Sequence, residues 1–198
     1  MKKLSLLFIT FILFAFQSDK AEYFATVEKI SDFPIFIFAK PVSEYEEVGK
    51  ALSFKEMMAL SLDEESTARE KTVKIVDYAL ERVKKEKITD FDAIILDLDR
   101  DKARVIKFKS GVSLEAKVSN CQDIPLYFFS QPTQEYKVVG ELEADYSSRA
   151  ARGLMFDKIR SMVKRTLKKL ENKEVKAFDA IIVNPDDLSE KLIVFENK

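Results

Sequence analysis

The pentapeptide Phe91-Asp92-Ala93-Ile94-Ile95 recurs letter for letter as Phe178-Asp179-Ala180-Ile181-Ile182. The match extends outward, because residues 91–109 agree with residues 178–196 at eight of 19 positions. Upstream, residues 25–49 agree with residues 116–140 at ten of 25 positions. Since order and spacing are kept at offsets of 87 and 91, the sequence predicts an internal duplication.

The duplication divides the 198-residue chain into three predicted segments. They are residues 1–21, repeat one at residues 22–110 and repeat two at residues 113–198. The period of about 90 residues is longer than that of solenoids or propellers, so we expect two small domains rather than an array.

Each repeat has the same predicted order of elements, β-β-α-β-β. The strands of repeat one are predicted at residues 33–39, 45–52, 91–96 and 103–109, and those of repeat two at residues 124–130, 136–142, 178–183 and 191–196. The first two strands of each repeat are expected to form a hairpin. Gly49 and Gly140 lie inside the second strand of their repeats, which indicates a β-bulge or a close backbone approach.

The helix of each repeat is predicted from apolar residues spaced at i, i+3, i+4 and i+7. Those residues are Ile75, Val76, Ala79, Leu80 and Val83 in repeat one, and Phe156, Ile159, Met162, Val163, Leu167 and Leu170 in repeat two. One helix covers one face of a small sheet, so the other face must pack elsewhere. We therefore expect an α+β protein of two tandem β-β-α-β-β repeats packed against each other, with a homodimer as the alternative.

The N-terminal residues have the layout of a signal peptide. Lys2 and Lys3 precede an uncharged, largely apolar run at residues 4–16. Such a run fits a signal-peptide core but is shorter than the ~20 residues of a membrane-spanning helix. We expect cleavage between Gln17 and Glu22 and a periplasmic or secreted mature protein; an uncleaved anchor is the alternative.

The composition excludes several kinds of site. The chain has no His, one Cys and four separated Gly, which removes His-based triads, His metal sites, internal disulfides and glycine-rich phosphate loops. We predict no cofactor. The 33 basic residues balance 34 acidic ones, and basic residues do not interleave with aromatic ones, so nucleic acid is not an expected partner.

The repeated pattern also resembles known domains of the bacterial envelope. Its elements are Pro34, Phe38, Pro41, Tyr45 and Val48-Gly49, then an amphipathic helix and Asp92-Ala93-Ile94-Ile95. This pattern resembles the lipoprotein sensor domain of the Rcs phosphorelay and the YbjQ-like domains associated with heavy metals, and the ending Ile106-Lys107-Phe108-Lys109 is similar to secreted proteins of Gram-negative bacteria. The resemblance implies an envelope location, and a metal-responsive domain is one alternative function. The chain lacks the several Cys of the Rcs domain, so signalling and metal binding do not carry over.

Two Tyr-Glu pairs are candidate ligand-binding residues. Tyr45 follows Glu44, and Tyr136 follows Glu135, at the start of equivalent strands. A carboxylate beside a phenol can perform acid–base chemistry. The alternative is that each Tyr packs its ring and hydrogen-bonds at the strand entry.

Three other features carry candidate chemistry. Asp97, Asp99 and Asp101 begin like a calcium loop, but Lys102 and Phe108 replace its Gly and Glu, which favours a solvated turn. Cys121 aligns with Ile30, which indicates a buried, inert thiol, with a free reactive thiol or an intermolecular disulfide as the alternatives. The second helix offers a peripheral membrane contact through basic residues, with a solvated face as the alternative: Lys158, Arg160, Lys164, Arg165, Lys168 and Lys169.

The sequence thus favours an exported, non-enzymatic protein that binds a protein or small ligand in the cell envelope. An enzyme with a carboxylate–Tyr site between the repeats is the main alternative. With one Cys and no His, only oxygen ligands remain for a metal, so soft metals are not expected.

Overall fold

The computed structural model describes residues 22–61, 66–97, 102–143, 155–171 and 177–196. Strands account for 44% of the structure and helices for 27%, with three sheets and three helices in the described ranges. The predicted α+β fold of two β-β-α-β-β repeats is therefore wrong. The described chain is mostly β, and its first half holds two helices, one of them short.

The first half forms β1 (Phe24–Val27), β2 (Lys29–Ile30), β3 (Phe33–Ile37), β4 (Ala39–Pro41), β5 (Tyr45–Ser53), α1 (Phe54–Ser61), α2 (Ala68–Lys85), β6 (Ala93–Asp97) and β7 (Lys102–Phe108). The second half forms β8 (Glu115–Val118), β9 (Asn120–Cys121), β10 (Ile124–Tyr127), β11 (Ser130–Pro132), β12 (Tyr136–Leu142), α3 (Met155–Glu171), β13 (Ala180–Val183) and β14 (Glu190–Phe195).

Two five-stranded sheets have the same strand order. One runs β2-β3-β6-β7-β5, and the other runs β9-β10-β13-β14-β12. The pairs β3–β6 and β10–β13 are parallel, and the other pairs are antiparallel. The predicted hairpins, between residues 33–39 and 45–52 and between residues 124–130 and 136–142, are both wrong, because β5 pairs with β7 and β12 pairs with β14 at the sheet edges. The common order is consistent with the internal duplication, which stays an inference from the sequence.

A third sheet is built from both halves of the chain. Its order is β11-β1-β8-β4, so each strand from one half lies beside a strand from the other. We call it the shared sheet. At its centre β1 and β8 are antiparallel, and Ala25 lies opposite Ala116, its equivalent in the sequence alignment. Strands of the two halves therefore alternate within one sheet, an arrangement that the sequence did not predict.

Two phenylalanines turn the chain out of the large sheets. Phe38 and Phe129 have φ angles of 53° and 52°, a left-handed conformation that is uncommon for a bulky residue. Each breaks a predicted continuous strand, so that β3 is followed by β4, and β10 by β11, in a different sheet. The amide of Ser119 donates to the carbonyl of Phe38 at 2.7 Å, and that of Glu28 donates to the carbonyl of Phe129 at 2.9 Å. These equivalent bonds tie each turn to the opposite half.

The largest core lies between the helices and the large sheets. Helix α2 begins with a capping box, in which Thr67 and Glu70 each bond the backbone amide of the other. It buries one apolar stripe, and α3 does the same. Rings from both halves meet here: Phe38 lies 6.0 Å from Phe128 and 6.2 Å from Phe156, centroid to centroid. The core is thus continuous across the two halves.

The shared sheet covers the second face of both large sheets. Its strands β1 and β8 alternate exposed and buried residues, as expected for a sheet with one solvated face. Val27 and Ala116 are buried in one cluster with Phe36 and Phe108; Ala25 and Val118 are buried in another with Tyr127 and Phe195. The apolar face that one helix leaves open is therefore covered by strands drawn from both halves.

Candidate functional site

The two Tyr-Glu pairs lie at the start of the edge strands β5 and β12. The half-buried ring of Tyr45 packs on the cluster around Phe36, whereas that of Tyr136 packs on the cluster around Tyr127. The carboxylates of the neighbouring glutamates lie at the surface of the protein. Glu44 pairs with Lys109 at 3.0 Å with both side chains largely exposed, and Glu135 is exposed.

The structure therefore does not bring the four predicted ligand-binding residues Glu44, Tyr45, Glu135 and Tyr136 into one site. The hydroxyl of Tyr136 lies 3.5 Å from Oε1 of Gln131, a weak contact at the strand entry. Both rings contribute to the packing of their sheets.

The predicted calcium loop falls at the edge of what the structure describes. Asp99 and Asp101 lie outside the described residues, and only the backbone of Asp97 is described. In the equivalent turn of the second half, the amide of Ser189 donates to Asp187 at 2.9 Å and that of Asp186 donates to the side chain of Asn184 at 3.0 Å, while the carboxylate of Asp186 pairs with Arg69. Within the described ranges no three potential ligand residues converge on a metal site.

Two arginines connect the helices to the opposite halves. The guanidinium of Arg69 on α2 lies 5.0 Å from the ring centroid of Phe129, and that of Arg160 on α3 lies 5.1 Å from that of Phe38. Arg69 also pairs with Glu28 at 2.9 Å and with Asp186 of the second half at 2.8 Å. These cation–π and ionic contacts place Arg69 and Arg160 at the junction of the halves.

Helix α3 covers polar groups that the sequence analysis missed. Glu190 is 1% exposed, and neither of its carboxylate oxygens has a hydrogen-bond partner in the described part of the chain. Burial raises its pKa, which the nearby hydroxyl of Thr166 and the charges of Lys169 and Arg165 offset only in part. One signal was present in the sequence: Glu190 aligns with Ala103, an apolar core position of the first half.

Cys121 lies under the same helix. Its side chain is buried, as predicted, and its Sγ lies 3.9 Å from the carbonyl oxygen of Arg160. Burial raises the pKa of the thiol, and the positive charges of Lys164 and Arg160 oppose that effect. A thiol with a raised pKa is largely protonated at neutral pH, so the predicted inert role fits the site.

A groove opens beside the last turns of α3. It has a volume of about 330 Å³ and lies between the helix, the β9–β10 hairpin and the residues before β13. Most of its lining is apolar: Gln122, Ile124, Leu167, Leu170, Glu171, Ala177 and Phe178. The groove combines an apolar wall with two polar groups, as small-molecule sites commonly do.

The positions of the first half that align with two groove residues hold stacked aromatic rings. There Phe33 and Phe91 stack with centroids 4.8 Å apart and ring planes 16° apart. Ile124 and Phe178 occupy the aligned positions in the second half, and both line the groove. Ile124 has no ring to stack on Phe178, so the second half lacks this aromatic pair.

The outer face of α3 is basic. Lys158, Lys164, Lys168 and Lys169 are exposed, whereas Arg160 and Arg165 are half-buried. The six residues of the predicted membrane surface are thus not equivalent, since Arg160 also covers the ring of Phe38. In the described ranges, none of the helices combines the length and the apolar character that a bilayer span requires.

No protein-family model, no curated protein and no solved structure matches the chain. The resemblance to the Rcs sensor and YbjQ-like domains therefore stays a prediction from the sequence.

Proposed function

We propose that the protein is an exported, non-enzymatic binding protein of the cell envelope, and that its second half holds the ligand. The observation that supports this proposal is the groove beside α3. Its volume of about 330 Å³ lies at the small end of the range for ligand pockets. Its largely apolar wall favours an apolar ligand group.

The difference between the halves supports assigning binding to the second. The stacked pair Phe33–Phe91 completes the packing of the first half, and Ile124 removes half of the equivalent pair. In the second half Ile124 and Phe178 both line the groove, where an apolar group of a ligand can contact them.

A substitution that restores the ring tests the groove. We expect the Phe of Ile124→Phe to fill the groove and to exclude the neutral apolar dye N-phenyl-1-naphthylamine from it. Burial of one large apolar side chain contributes roughly 1.5–3 kcal/mol, so losing a contact of that size weakens dye binding by about tenfold or more. Fluorescence titration of the full mature chain measures the affinity. The matched control is Val112→Phe, which adds the same ring at an exposed position. Equal weakening by both variants, or no dye binding to the wild type, would refute the groove as a binding site.

The proposed export rests on residues 1–21, which lie outside the described residues. Their basic start and apolar run have the layout of a cleaved signal peptide. We expect the mature protein in the periplasm or medium to lack residues up to a site between Gln17 and Glu22. Intact-mass measurement of the exported protein checks this, and a retained N-terminus would instead indicate an anchor.

A further inference from the structure

We infer that the ligand of this groove is a free, single-chain amphiphile with an anionic head. This inference rests on the proposed function. The apolar chain of the amphiphile would lie on Ile124, Leu167 and Phe178, and its anionic head would lie beside Lys164 at the helix surface.

The apolar lining of the groove favours a ligand with an apolar chain. Among the described residues that line it, five of seven side chains are apolar, and the polar ones are Gln122 and Glu171. A compact polar ligand would lose water in such a groove and gain few hydrogen bonds, which costs free energy. An apolar chain loses nothing of that kind and buries both its own surface and that of the groove.

Two observations place Lys164 beside the groove. It lies three residues before Leu167, and residues three apart are neighbours on a helix surface. Its turn of the helix also lies against the hairpin of the groove, because the carbonyl oxygen of Arg160, four residues before Lys164, is 3.9 Å from Sγ of Cys121, the residue before Gln122. Lys164 is exposed, so a head group can reach it from water.

The charge of the helix end favours an anionic head. Residues 164–171 hold the cations Lys164, Arg165, Lys168 and Lys169 and the single acid Glu171. A cationic head would meet Glu171 and Asp123, which lies between the groove residues Gln122 and Ile124, but would be repelled by the four cations of the helix. An anionic head would be attracted by the four cations and repelled by the fewer acids.

The packing of α3 favours a free ligand over a bilayer. A helix that lies on a membrane inserts its apolar face into the lipid. The apolar face of α3 is already buried in the core, through Phe156, Ile159 and Val163. What is left for a lipid chain is a recess that takes one chain rather than a surface that enters a membrane.

Displacement of the bound dye distinguishes these ligands. The probes are decanoate, decyltrimethylammonium and vesicles of phosphatidylglycerol, each titrated into the dye complex of the full mature chain. We expect decanoate to displace the dye at lower concentration than decyltrimethylammonium does. Lys164→Glu should weaken decanoate binding about fivefold relative to the dye affinity of the same variant, because exposed charge pairs contribute modestly.

The matched control is Lys158→Glu, the same charge change on the same helix. Lys158 lies nine residues before Leu167, or roughly 13 Å along the axis, and should change decanoate binding less than about twofold. Two results would overturn the anionic head and leave the proposed function intact, provided that the dye binds. One is equal displacement of the dye by decanoate and decyltrimethylammonium, and the other is no effect of Lys164→Glu on decanoate binding. Displacement by vesicles but not by decanoate would overturn the free ligand. Failure of the dye itself to bind would refute the proposed function instead.

Discussion

At the scale of single residues, Glu190 is a buried carboxyl without hydrogen-bond partners among the described residues. Its folded pKa is raised above its usual value, so the folded chain keeps this proton at a pH where the unfolded chain has lost it. Below the unfolded pKa both states are protonated and the residue has no effect. As the pH rises through the unfolded and then the folded pKa, stability is lost.

We therefore predict that Glu190→Gln stabilises the protein at pH 7 to 8 and that its advantage shrinks toward pH 4. Glutamine keeps the shape and cannot ionise, so the variant avoids the cost of keeping this carboxyl protonated at neutral pH, which we expect to be about 1 kcal/mol or more. Thermal unfolding followed by circular dichroism across this range measures the difference. Glu135→Gln makes the same charge change at an exposed position and should show little effect. A Glu190→Gln protein that melts with or below the wild type at every pH would contradict the prediction.

At the scale of elements, the edge strands β5 and β12 share a bulge that the sequence predicted. Their registers shift between Glu47 and Gly49, and between Val138 and Gly140. A Cβ on Gly49 would collide with Cδ1 of Ile88, whereas one on Gly140 would lie 3.3 Å from Cδ1 of Leu192. The two glycines thus hold equivalent bulges under different steric constraints.

We expect Gly49→Ala to destabilise the protein by about 0.5–1.5 kcal/mol, because the end of the Ile88 side chain must rotate away from the added methyl while Cγ2 of Val105 lies 3.3 Å from it. Gly140→Ala is its matched control and should cost less. Urea denaturation of both variants gives the two free energies of unfolding. A larger loss for Gly140→Ala would show that Ile88 moves aside and that the close approach does not constrain β5.

This bulge also shows how far the sequence predicts an element. A glycine within a strand pattern indicates a bulge from local geometry alone. The predicted partner of β5 was wrong, since β7 and not β3 lies beside it. Local pattern predicts that a segment is extended, but two strands of similar pattern compete equally for the same partner.

At the scale of the whole molecule, the shared sheet makes the halves depend on each other. Strand β1 has both of its neighbours, β8 and β11, in the other half. A half on its own would expose residues that are buried between the shared sheet and a large sheet, among them Ala25, Val27 and Phe36. Each large apolar side chain contributes roughly 1.5–3 kcal/mol when buried, against a total stability of roughly 5–15 kcal/mol.

We therefore predict that residues 22–110 and 113–198, expressed separately, self-associate, aggregate or melt well below the intact chain. Light scattering coupled to size exclusion gives their mass, and calorimetry gives their transitions. The intact mature chain is the reference for both measurements. If each half is a monomer with the cooperative transition of the intact chain, the pairing of the two halves in the shared sheet does not stabilise the fold.

The sequence by itself determined the features that depend on short-range pattern. These are the recurrence around Phe91 and Phe178, the apolar stripes of α2 and α3, the buried Cys121 and the bulges at Gly49 and Gly140. Only the tertiary structure decided which strands pair, because β1 has the same alternation of apolar residues whether its neighbour belongs to its own half or to the other. It also decided that Glu190 is buried and that Ile124 borders a groove, since burial depends on what packs above a residue as well as on the residue itself.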